Sequence, residues 1–437
     1  MTRFAKLICP ALLFTTCLTP PAFSQTRDEL TSDVNSLKNR VEALEKLIEK
    51  LTTAGAPAPA MSKPDLPDKT VTFSSSDPAP TLKSADGKSE FNVRGRVFVD
   101  WSAGSDDQGT FDISGTKLRA AWFGVEGKAT DNIKYKFEAD FGGNNVSVKD
   151  AYLQFKVQNW AYTIGQSKMP NSLEWNTAIS QTSLMERGAF KSAFGFGRGM
   201  GIKAGTGGDT WGFTAGIFQG TNTFSSNTEE GWTAAARVNY GGKLDNTTWL
   251  VGMSGRLRDM NDRTLSYKAK AVTNLTSNLV STGGTNKDKL IAAEAAFSHG
   301  AFFGAAEYAF LSATDAGTLG RNANFSGGYI EFGYILTGEN RPLDIKKGAW
   351  GRPKVANPFD RKGGLGMWQI TARYDTLDLT NNGAFGGQQT SYIVNLSWYM
   401  TRYVRALLDY GHTEVSDLAL GAENASDVVG LRLNVDW

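Results

Sequence analysis

The chain has 437 residues, of which 46 are lysine or arginine and 44 are aspartate or glutamate, so its net charge is close to zero. A nucleic-acid-binding protein would show a clustered basic excess, and this balance argues against one. Past the N-terminal segment, no stretch reaches the roughly 18 consecutive apolar residues of a membrane-spanning helix. Both cysteines, Cys9 and Cys17, lie in that segment, which excludes a disulfide framework from the remainder of the chain.

The first 24 residues have the pattern of a secretory signal peptide. A charged start with Arg3 and Lys6 is followed by an apolar run over residues 7–18 and by small residues at 22–24. That run is too short and too polar for a membrane anchor, which needs roughly 20 apolar residues. A lipid anchor on Cys17 is a second alternative, but no small-residue box precedes this cysteine. We therefore expect residues 1–24 to be a signal peptide that is removed on export.

Residues 25–52 are predicted to form a coiled-coil helix. Apolar residues recur at alternating steps of four and three, with leucine at d and β-branched residues at a: Leu30, Val34, Leu37, Val41, Leu44, Ile48 and Leu51. Little sequence nearby could supply a core for an isolated surface helix, so self-association is favoured. Val or Ile at a with Leu at d favours two strands. By contrast, the run containing Arg40, Val41, Leu44 and Glu45 resembles a trimerisation motif in which Arg40 reaches Glu45 of a neighbouring chain.

Residues 53–90 are predicted to be an unfolded linker. Prolines lie among alanine, serine, threonine and aspartate, and this composition buries too little apolar surface to offset the entropy of ordering. From residue 91 onward the prolines are Pro170, Pro342, Pro353 and Pro358. All four lie between the alternating runs, because a strand inside a sheet needs every backbone N–H.

Residues 91–437 alternate between apolar and polar side chains, as strands do when their two faces meet different surroundings. One clear example has Ile133, Tyr135 and Phe137 alternating with Lys134 and Lys136. About sixteen segments have the roughly 9–11 residues that a tilted strand needs to cross a bilayer. They begin near Phe91, Thr116, Asn132, Ser147, Asn159, Gly199, Thr210, Gly231, Asn246, Lys287, Gly300, Ser326, Gly366, Gln388, Tyr403 and Ser426. The sequence predicts an all-β transmembrane barrel of antiparallel strands after an N-terminal α-helical coiled coil.

A soluble β-sandwich is the alternative fold, because its strands alternate as well. Trp160, Trp249 and Trp398 lie towards segment ends, which favours the interfacial aromatic girdles of a membrane barrel. The last segment stops on Trp437, which resembles the terminal aromatic signal of outer-membrane barrel proteins. A closed barrel also leaves no unpaired sheet edge in the hydrocarbon. We expect a protein of the Gram-negative outer membrane, in contact with its lipid, with the coiled coil in the periplasm.

The polar residues of the segments should face a lumen, which sixteen strands would leave wide enough for water. The segment near 168–198 is the longest interruption between the early strands and is predicted to fold inward. Its charged residues are four basic and two acidic side chains: Lys168, Arg187, Lys191 and Arg198, and Glu174 and Glu186. A constriction with this excess of positive charge would favour anions. The alternative is an external loop whose basic residues bind lipid headgroup phosphates.

Several stretches together resemble the phosphate-selective porin O/P family over residues 91–437. They include Phe91-Asn92-Val93-Arg94-Gly95-Arg96, Lys149-Asp150-Ala151-Tyr152, Thr163-Ile164-Gly165-Gln166, Met185-Glu186-Arg187 and Leu336-Thr337-Gly338-Glu339-Asn340-Arg341-Pro342. The resemblance implies a sixteen-stranded trimer with an inward third loop and, in phosphate-selective members, an arginine ladder leading to a central basic site. Arg96, Arg119 and Arg187 match basic positions of that pattern. Ala120 stands where those members have a second arginine and Trp175 where they have a lysine, which favours a weak anion preference over phosphate specificity.

The sequence therefore predicts an outer-membrane porin for the passive diffusion of small hydrophilic solutes, with a weak preference for anions, phosphate included. The pore-lining or anion-binding candidates are Arg96, Arg119, Lys168, Arg187, Lys191 and Arg198. The two histidines, His299 and His412, have no metal-ligand spacing, and we expect no metal, cofactor or enzymatic activity. A homotrimer is expected. The alternative function is an envelope tether or adhesin, in which the coiled coil binds peptidoglycan and the barrel is its anchor.

Overall fold

The computed structural model describes residues 27–53, 71–72, 79, 81–109, 111–143, 145–220, 230–261, 264–316, 321–418 and 423–437. The predicted signal peptide lies outside the described residues, as does most of the predicted linker. The chain divides into two compact units, Met1–Leu66 and Pro67–Trp437. Over the described ranges, none of the helices is both long enough and apolar enough to cross a membrane.

The first unit contains helix α1, Arg27–Thr53. Val34, Leu37, Val41 and Leu44 form an exposed apolar stripe along it, with exposed fractions between 47% and 60%. Arg40 and Glu45, the charged pair of the predicted trimerisation motif, are exposed as well. A stripe with this spacing is the seam that a coiled coil buries. The coiled coil itself stays a prediction.

The second unit contains a closed barrel of sixteen antiparallel strands. In chain order they are β1 Glu90–Asp106, β2 Asp112–Thr130, β3 Ile133–Asp140, β4 Ser147–Val157, β5 Trp160–Lys168, β6 Arg198–Gly207, β7 Trp211–Gln219, β8 Trp232–Leu244, β9 Thr247–Asp259, β10 Lys287–His299, β11 Phe302–Ala316, β12 Arg321–Ile335, β13 Met367–Asn381, β14 Ala384–Tyr399, β15 Val404–Leu418 and β16 Asn424–Asp436. Each strand pairs with its neighbour in the chain. Strand β16 also pairs with β1, with Leu431 opposite Trp101, and this closes the sheet. The predicted barrel is confirmed, and every predicted segment begins within five residues of an observed strand.

Shorter elements lie outside the barrel sheet or extend it. Within the predicted linker, Val71–Thr72 pairs with Thr81–Lys83, which in turn pairs with the start of β1. Two further hairpins join Lys268–Lys270 to Asn278–Ser281 and Leu343–Asp344 to Ala349–Trp350. Between β5 and β6, where the sequence predicted no regular structure, lie the short helices α2 Leu173–Asn176 and α3 Ala189–Ala193 and a 3-10 turn, Ile179–Gln181.

Alternation along the strands separates a polar inner face from an apolar outer face, because successive side chains point in opposite directions. In β16, Arg432 is 1% exposed whereas Leu431 and Leu433 are each 46% exposed. In β13, Arg373 is buried whereas Ile370 and Tyr374 are exposed. A soluble sandwich would bury the apolar face instead. The outer face of this barrel is therefore suited to lipid and its inner face to a polar lumen.

Trp437 packs against β1 where the barrel closes. Its backbone N–H donates to the Gly95 carbonyl at 3.0 Å, and the Gly95 N–H donates to the Trp437 carbonyl at 3.2 Å. The indole lies so close over Gly95 that a Cβ at this position would overlap the ring. The terminal tryptophan thus completes the seam between the last strand and the first.

Candidate functional site

The segment 169–197, which we call the crossing loop, lies inside the barrel and reaches the wall opposite β5 and β6. Ser180 Oγ donates to Asp436 Oδ2 at the end of β16 at 2.8 Å, and the Met185 N–H donates to Asp409 Oδ2 of β15 at 2.9 Å. Further along the loop, Arg256 of β9 donates to the Phe194 carbonyl at 2.7 Å. Because these three partners lie on β9, β15 and β16, the loop is held across the lumen and narrows it.

Carboxylates on the inner wall bind the backbone of the crossing loop at helix α2. Glu294 Oε2 accepts a hydrogen bond from the Leu173 N–H at 2.8 Å, and Glu307 Oε1 accepts one from the Glu174 N–H at 2.6 Å. Ser172 caps the same helix by accepting from the Trp175 N–H at 3.3 Å. The first N–H groups of a helix lack partners within the helix and carry partial positive charge. Carboxylates from β10 and β11 satisfy them and fix the loop at its first turn.

Arginines on the same wall bind the crossing loop through its acceptors. Arg373 of β13 lies 2.7 Å from Glu174 of the loop and 2.6 Å from Glu331 of β12. Arg405 of β15 donates to the carbonyls of Thr182 at 2.7 Å and Ser183 at 3.0 Å. Both arginines are buried. Such charge-assisted hydrogen bonds have specific geometry, so they hold the loop in one conformation.

Aromatic side chains form a small core inside the lumen, on the side of β9–β13. Phe190 and Phe194 of the crossing loop are fully buried. The Phe194 ring centroid lies 6.3 Å from that of Tyr267, which lies 5.4 Å from that of Phe325 on β12. Tyr267 belongs to residues 264–285, between β9 and β10, which we call the inner hairpin. Its hydroxyl donates to Asp288 at 2.9 Å, so this hairpin also folds into the barrel.

A third inward segment comes from residues 336–366, between β12 and β13. Its Arg341 is 1% exposed, donates to the Gln181 carbonyl at 2.7 Å, and lies 4.5 Å from the ring centroids of Phe303 and Trp350. The sequence predicted only the crossing loop to fold inward. In the other two segments, isolated aromatic residues such as Tyr267 and Trp350 were the only sequence feature that pointed to inward folding. An aromatic residue in a loop does not by itself indicate which surface it contacts.

The structure brings five of the six predicted pore residues together around two tryptophans; we call these five the cation cluster. One of these tryptophans is Trp175, which stands where phosphate-selective members of the family have a lysine, and four of the five cations lie over its ring. The cations lie over the ring centroid of Trp175 at 5.1 Å for Lys168, 5.2 Å for Arg187, 4.8 Å for Lys191 and 5.8 Å for Arg198, and over that of Trp122 at 4.6 Å for Arg96 and 5.4 Å for Arg198. An indole face attracts cations, so the tryptophan gathers positive charge without supplying it.

Two of the six predicted residues have their charge neutralised. Arg119, which lies apart from the cluster, contacts Glu186 at 2.7 Å, and Arg198 contacts Asp150 at 2.9 Å. Burial disfavours ionisation of Glu186, but Arg119 and Arg432, each 2.7 Å away, outweigh burial and hold its pKa well below the usual range. These carboxylates compensate the positive charges at either side of the loop.

The other four cations have no carboxylate within ion-pair distance among the described residues: Arg96, Lys168, Arg187 and Lys191. Lys168 Nζ donates to the Trp175 carbonyl at 2.7 Å, and Arg187 donates to the carbonyls of Glu174 at 3.0 Å and Thr177 at 2.8 Å. Lys191 lies in α3, outside the spanning strands, where burial and the neighbouring Arg187 lower its pKa to about 7. Neutral carbonyls solvate Lys168 and Arg187 without cancelling their charge, and no carboxylate pairs with Arg96 or Lys191 in the described ranges, so the potential beside the crossing loop is positive.

A cavity of about 720 Å³ adjoins the cation cluster at the barrel end where β16 finishes. Seven lysines and two aspartates are among its lining residues: Lys134, Lys136, Lys156, Lys168, Lys203, Lys346 and Lys347, and Asp131 and Asp150. We call it the lysine vestibule. It extends the basic surface from the crossing loop to the mouth of the barrel.

Residues 91–437 match the family model for the phosphate-selective porins O and P. The chain belongs to this porin family. A protein of Caulobacter vibrioides (strain ATCC 19089 / CIP 103742 / CB 15), described as uncharacterized, is 28% identical over 474 residues, covering 98% of this porin and 95% of that protein. The predicted family is therefore confirmed, and with it an outer-membrane location for the barrel.

Solved outer-membrane structures share the fold of this porin. An anion-selective porin from Comamonas acidovorans has a TM-score of 0.53 and 11% identity, covering 80% of this chain and 100% of that one. The channel DcaP of Acinetobacter baumannii has a TM-score of 0.52 and 13% identity, covering 81% and 99%. OmpT of Vibrio cholerae has a TM-score of 0.54 and 11% identity, covering 84% and 100%. At these identities the likeness concerns the barrel fold.

Proposed function

We propose that this porin is a passive, non-enzymatic diffusion channel for small hydrophilic solutes, with a weak preference for anions, phosphate included. The observation that carries the proposal is the cation cluster. Four of its members lie over Trp122 or Trp175, beside the crossing loop, with no carboxylate partner in the described part of the chain. A positive potential in a narrow, partly desolvated passage attracts anions and repels cations. The lysine vestibule continues that potential along the path.

The protein groups that contact the cations support a weak preference for anions and not tight binding of phosphate. Lys168 and Arg187 direct their donors to loop carbonyls, and Lys191 lies over the Trp175 ring. Lys168 and Arg187 share the Thr177 carbonyl as an acceptor, so their donors are engaged by the protein and are not left free for one oxyanion, as the donors of a specific oxyanion site are. Ala120, which is buried, offers no charge at the position of the second arginine in phosphate-selective members.

Reversal potentials across a planar bilayer with a potassium chloride gradient test this proposal. We expect the sign of the potential to report higher permeability for chloride than for potassium. Adding phosphate should reduce the chloride current gradually, without block at low concentration. A potential of the opposite sign contradicts the anion preference, and strong block by micromolar phosphate contradicts its weakness.

We infer that the mature chain is a homotrimer, with α1 on the periplasmic side as a coiled coil. The exposed stripe of Val34, Leu37, Val41 and Leu44 supports this, because a helix in water buries such a stripe by self-association. The trimerisation motif around Arg40 and Glu45 favours three chains. One related structure of Vibrio cholerae OmpT is described as a trimer form, with a TM-score of 0.52 and 12% identity.

Deleting residues 27–51 separates this proposal from an envelope tether that binds peptidoglycan. For the porin we expect fewer trimers on crosslinking while the envelope stays attached. Unchanged permeability together with a detached envelope would instead support the tether or adhesin.

A further inference from the structure

A second cavity, of about 250 Å³, lies between the crossing loop and the inner hairpin. We call it the antechamber. Arg187 of the crossing loop lines one side, Lys268 and Lys270 of the inner hairpin line another, and Gln389 of β14 lines the barrel wall. Its volume is below the roughly 300–1,000 Å³ of pockets for drug-sized ligands, so it would hold only a small solute.

The inner hairpin forms one wall of the antechamber, and its tip is held by hydrogen bonds to β1 and β2. Thr273 Oγ1 and Ser102 Oγ of β1 share a hydrogen bond of 2.8 Å. Lys117 Nζ of β2 donates to Asn274 Oδ1 at 2.6 Å. Since the hairpin starts and ends between β9 and β10, these bonds hold it across the lumen above the crossing loop.

The carboxylates that line the antechamber are already engaged by the protein. Glu186 contacts Arg119 and Arg432, Asp375 accepts from the Ala189 N–H at 3.2 Å, and Asp409 accepts from the Met185 N–H at 2.9 Å. The cations are solvated by neutral groups: Lys270 Nζ donates to the Asn274 carbonyl at 2.9 Å, and Arg187 donates to loop carbonyls. Asp375 and Asp409 are held by neutral N–H groups, which leave their charge in place, just as the carbonyls leave that of the cations. With Glu186 paired, the three cations Arg187, Lys268 and Lys270 outnumber these two carboxylates, so the cavity lining has a net positive charge and an anion is the complementary ligand.

Gln389 adds a second requirement, independent of charge. It is 2% exposed, and its Nε2 donates to the Lys270 carbonyl at 3.1 Å, which fixes the orientation of the amide. Its Oε1 is buried and, among the residues the structure describes, has no hydrogen-bond partner. A buried acceptor without a donor is rare and costly. A ligand hydroxyl would satisfy it, whereas chloride or an unsubstituted carboxylate has no donor to offer.

We propose that the antechamber binds small hydroxylated organic anions of the sugar-acid type. The ligand carboxylate lies between Lys268, Lys270 and Arg187, and one of its hydroxyls donates to Gln389 Oε1. This inference rests on the proposed anion preference and specifies the solute class that this porin retains on its way to the crossing loop.

Block of the chloride current through single channels tests the proposal with three probes: gluconate, hexanoate and inorganic phosphate. Gluconate and hexanoate have six carbons and one carboxylate each, but only gluconate has hydroxyls. We expect gluconate to bind about tenfold more tightly than hexanoate, as a hydrogen bond to a buried unpaired acceptor predicts. Gln389→Met should remove that difference. The double variant Lys268→Gln and Lys270→Gln should weaken both anions together.

Gln369→Met is the matched control, because Gln369 is a buried residue on β13 that does not line the antechamber. It should keep the preference for gluconate. If Gln389→Met does not assemble, the isosteric Gln389→Glu is the second variant, and its added negative charge should abolish gluconate binding. Equal block by gluconate and hexanoate in the wild type overturns the proposal, as does tighter block by phosphate than by gluconate. If only the antechamber proposal fails, the sign of the reversal potential still shows an anion-selective channel. If the proposed anion preference itself fails, that sign is reversed.

Discussion

The two sides of the lumen use the same residue types for different purposes. On the side of β9–β13, arginines and carboxylates bind one another and the crossing loop, around an aromatic core. On the side of β1–β6, lysines of β3–β6 line the lysine vestibule and Arg96 of β1 lies over Trp122, and several of these cations have no carboxylate partner in the described ranges. The first side holds the constriction in place, and the second gives it a positive potential.

Arg373 and Arg96 show what decides between the two roles. Both are buried, inward-facing arginines on barrel strands. Arg373 contacts Glu174 and Glu331, whereas Arg96 lies over the rings of Phe98 and Trp122 and its Nε has no hydrogen-bond partner among the described residues. An inward position therefore does not make an arginine part of the solute path. Its role depends on whether the crossing loop or a neighbouring strand supplies a carboxylate.

The largest effect should come from Arg373→Ala, which tests whether the first side is held by ion pairs. Removing one partner of a buried ion pair leaves a carboxylate uncompensated and should destabilise the barrel by about 3–5 kcal/mol. The measurement is the thermal unfolding midpoint in detergent. Arg94→Ala is the control, since the Arg94 and Glu126 side chains are 35% and 33% exposed and their pair should contribute less than about 1 kcal/mol. Equal midpoints for the two variants would contradict this division of roles.

The aromatic core should have the next largest effect. Phe190→Ala removes a fully buried ring that contacts Phe194, Phe196 and Tyr329, and should destabilise the barrel by about 3 kcal/mol. It should also increase current noise in single-channel recordings, because α3 is then less firmly held. Phe137→Ala, at a ring that is 49% exposed on the outer face, is the control for losing a phenyl group. An unchanged midpoint and a quiet channel would show that the core is not needed to hold the loop.

The second side should respond in selectivity, with little change in stability. Arg96→Gln removes one uncompensated charge and should lower the ratio of anion to cation permeability about twofold, as expected for one charge several ångströms away in screened water. Lys191→Gln should do the same at pH 6, where the Lys191 ammonium is charged. Reversal potentials measure the ratio. Lys287→Gln is the matched control, because Lys287 is already paired with Asp259 at 3.0 Å. A similar loss in the control would mean that selectivity follows total charge and not the cation cluster.

The smallest effect should be a pH dependence of selectivity. Because the pKa of Lys191 is lowered to about 7, its ammonium is charged at pH 6 and mostly neutral at pH 8. Anion preference should therefore fall as pH rises through 7, by less than the full twofold effect of removing the charge. Lys191→Gln should abolish this dependence. A preference that grows with pH would exclude Lys191 as its source.

Strand positions were predictable because alternation is a local property of the chain. The alternation of Ile133, Tyr135 and Phe137 with polar residues predicts β3 without reference to any other strand. The four prolines after residue 91 all lie in loops. The basic residues near 168–198 were also visible as a group. The sequence did not show which charges are neutralised by an ion pair. Arg119 and Glu186 lie 67 residues apart, and no local pattern predicts that they meet.

By itself, the sequence determined the order of about sixteen strands and which face of each is polar, since these follow from the two-residue repeat of an extended chain. Only the tertiary structure decided what fills the lumen. The inner hairpin and residues 336–366 fold inward because side chains from distant strands, such as Asp288 for Tyr267 and Phe303 for Arg341, complete their contacts. Closing the barrel brings these partners together, and the same closure determines which cations keep their charge for a passing solute.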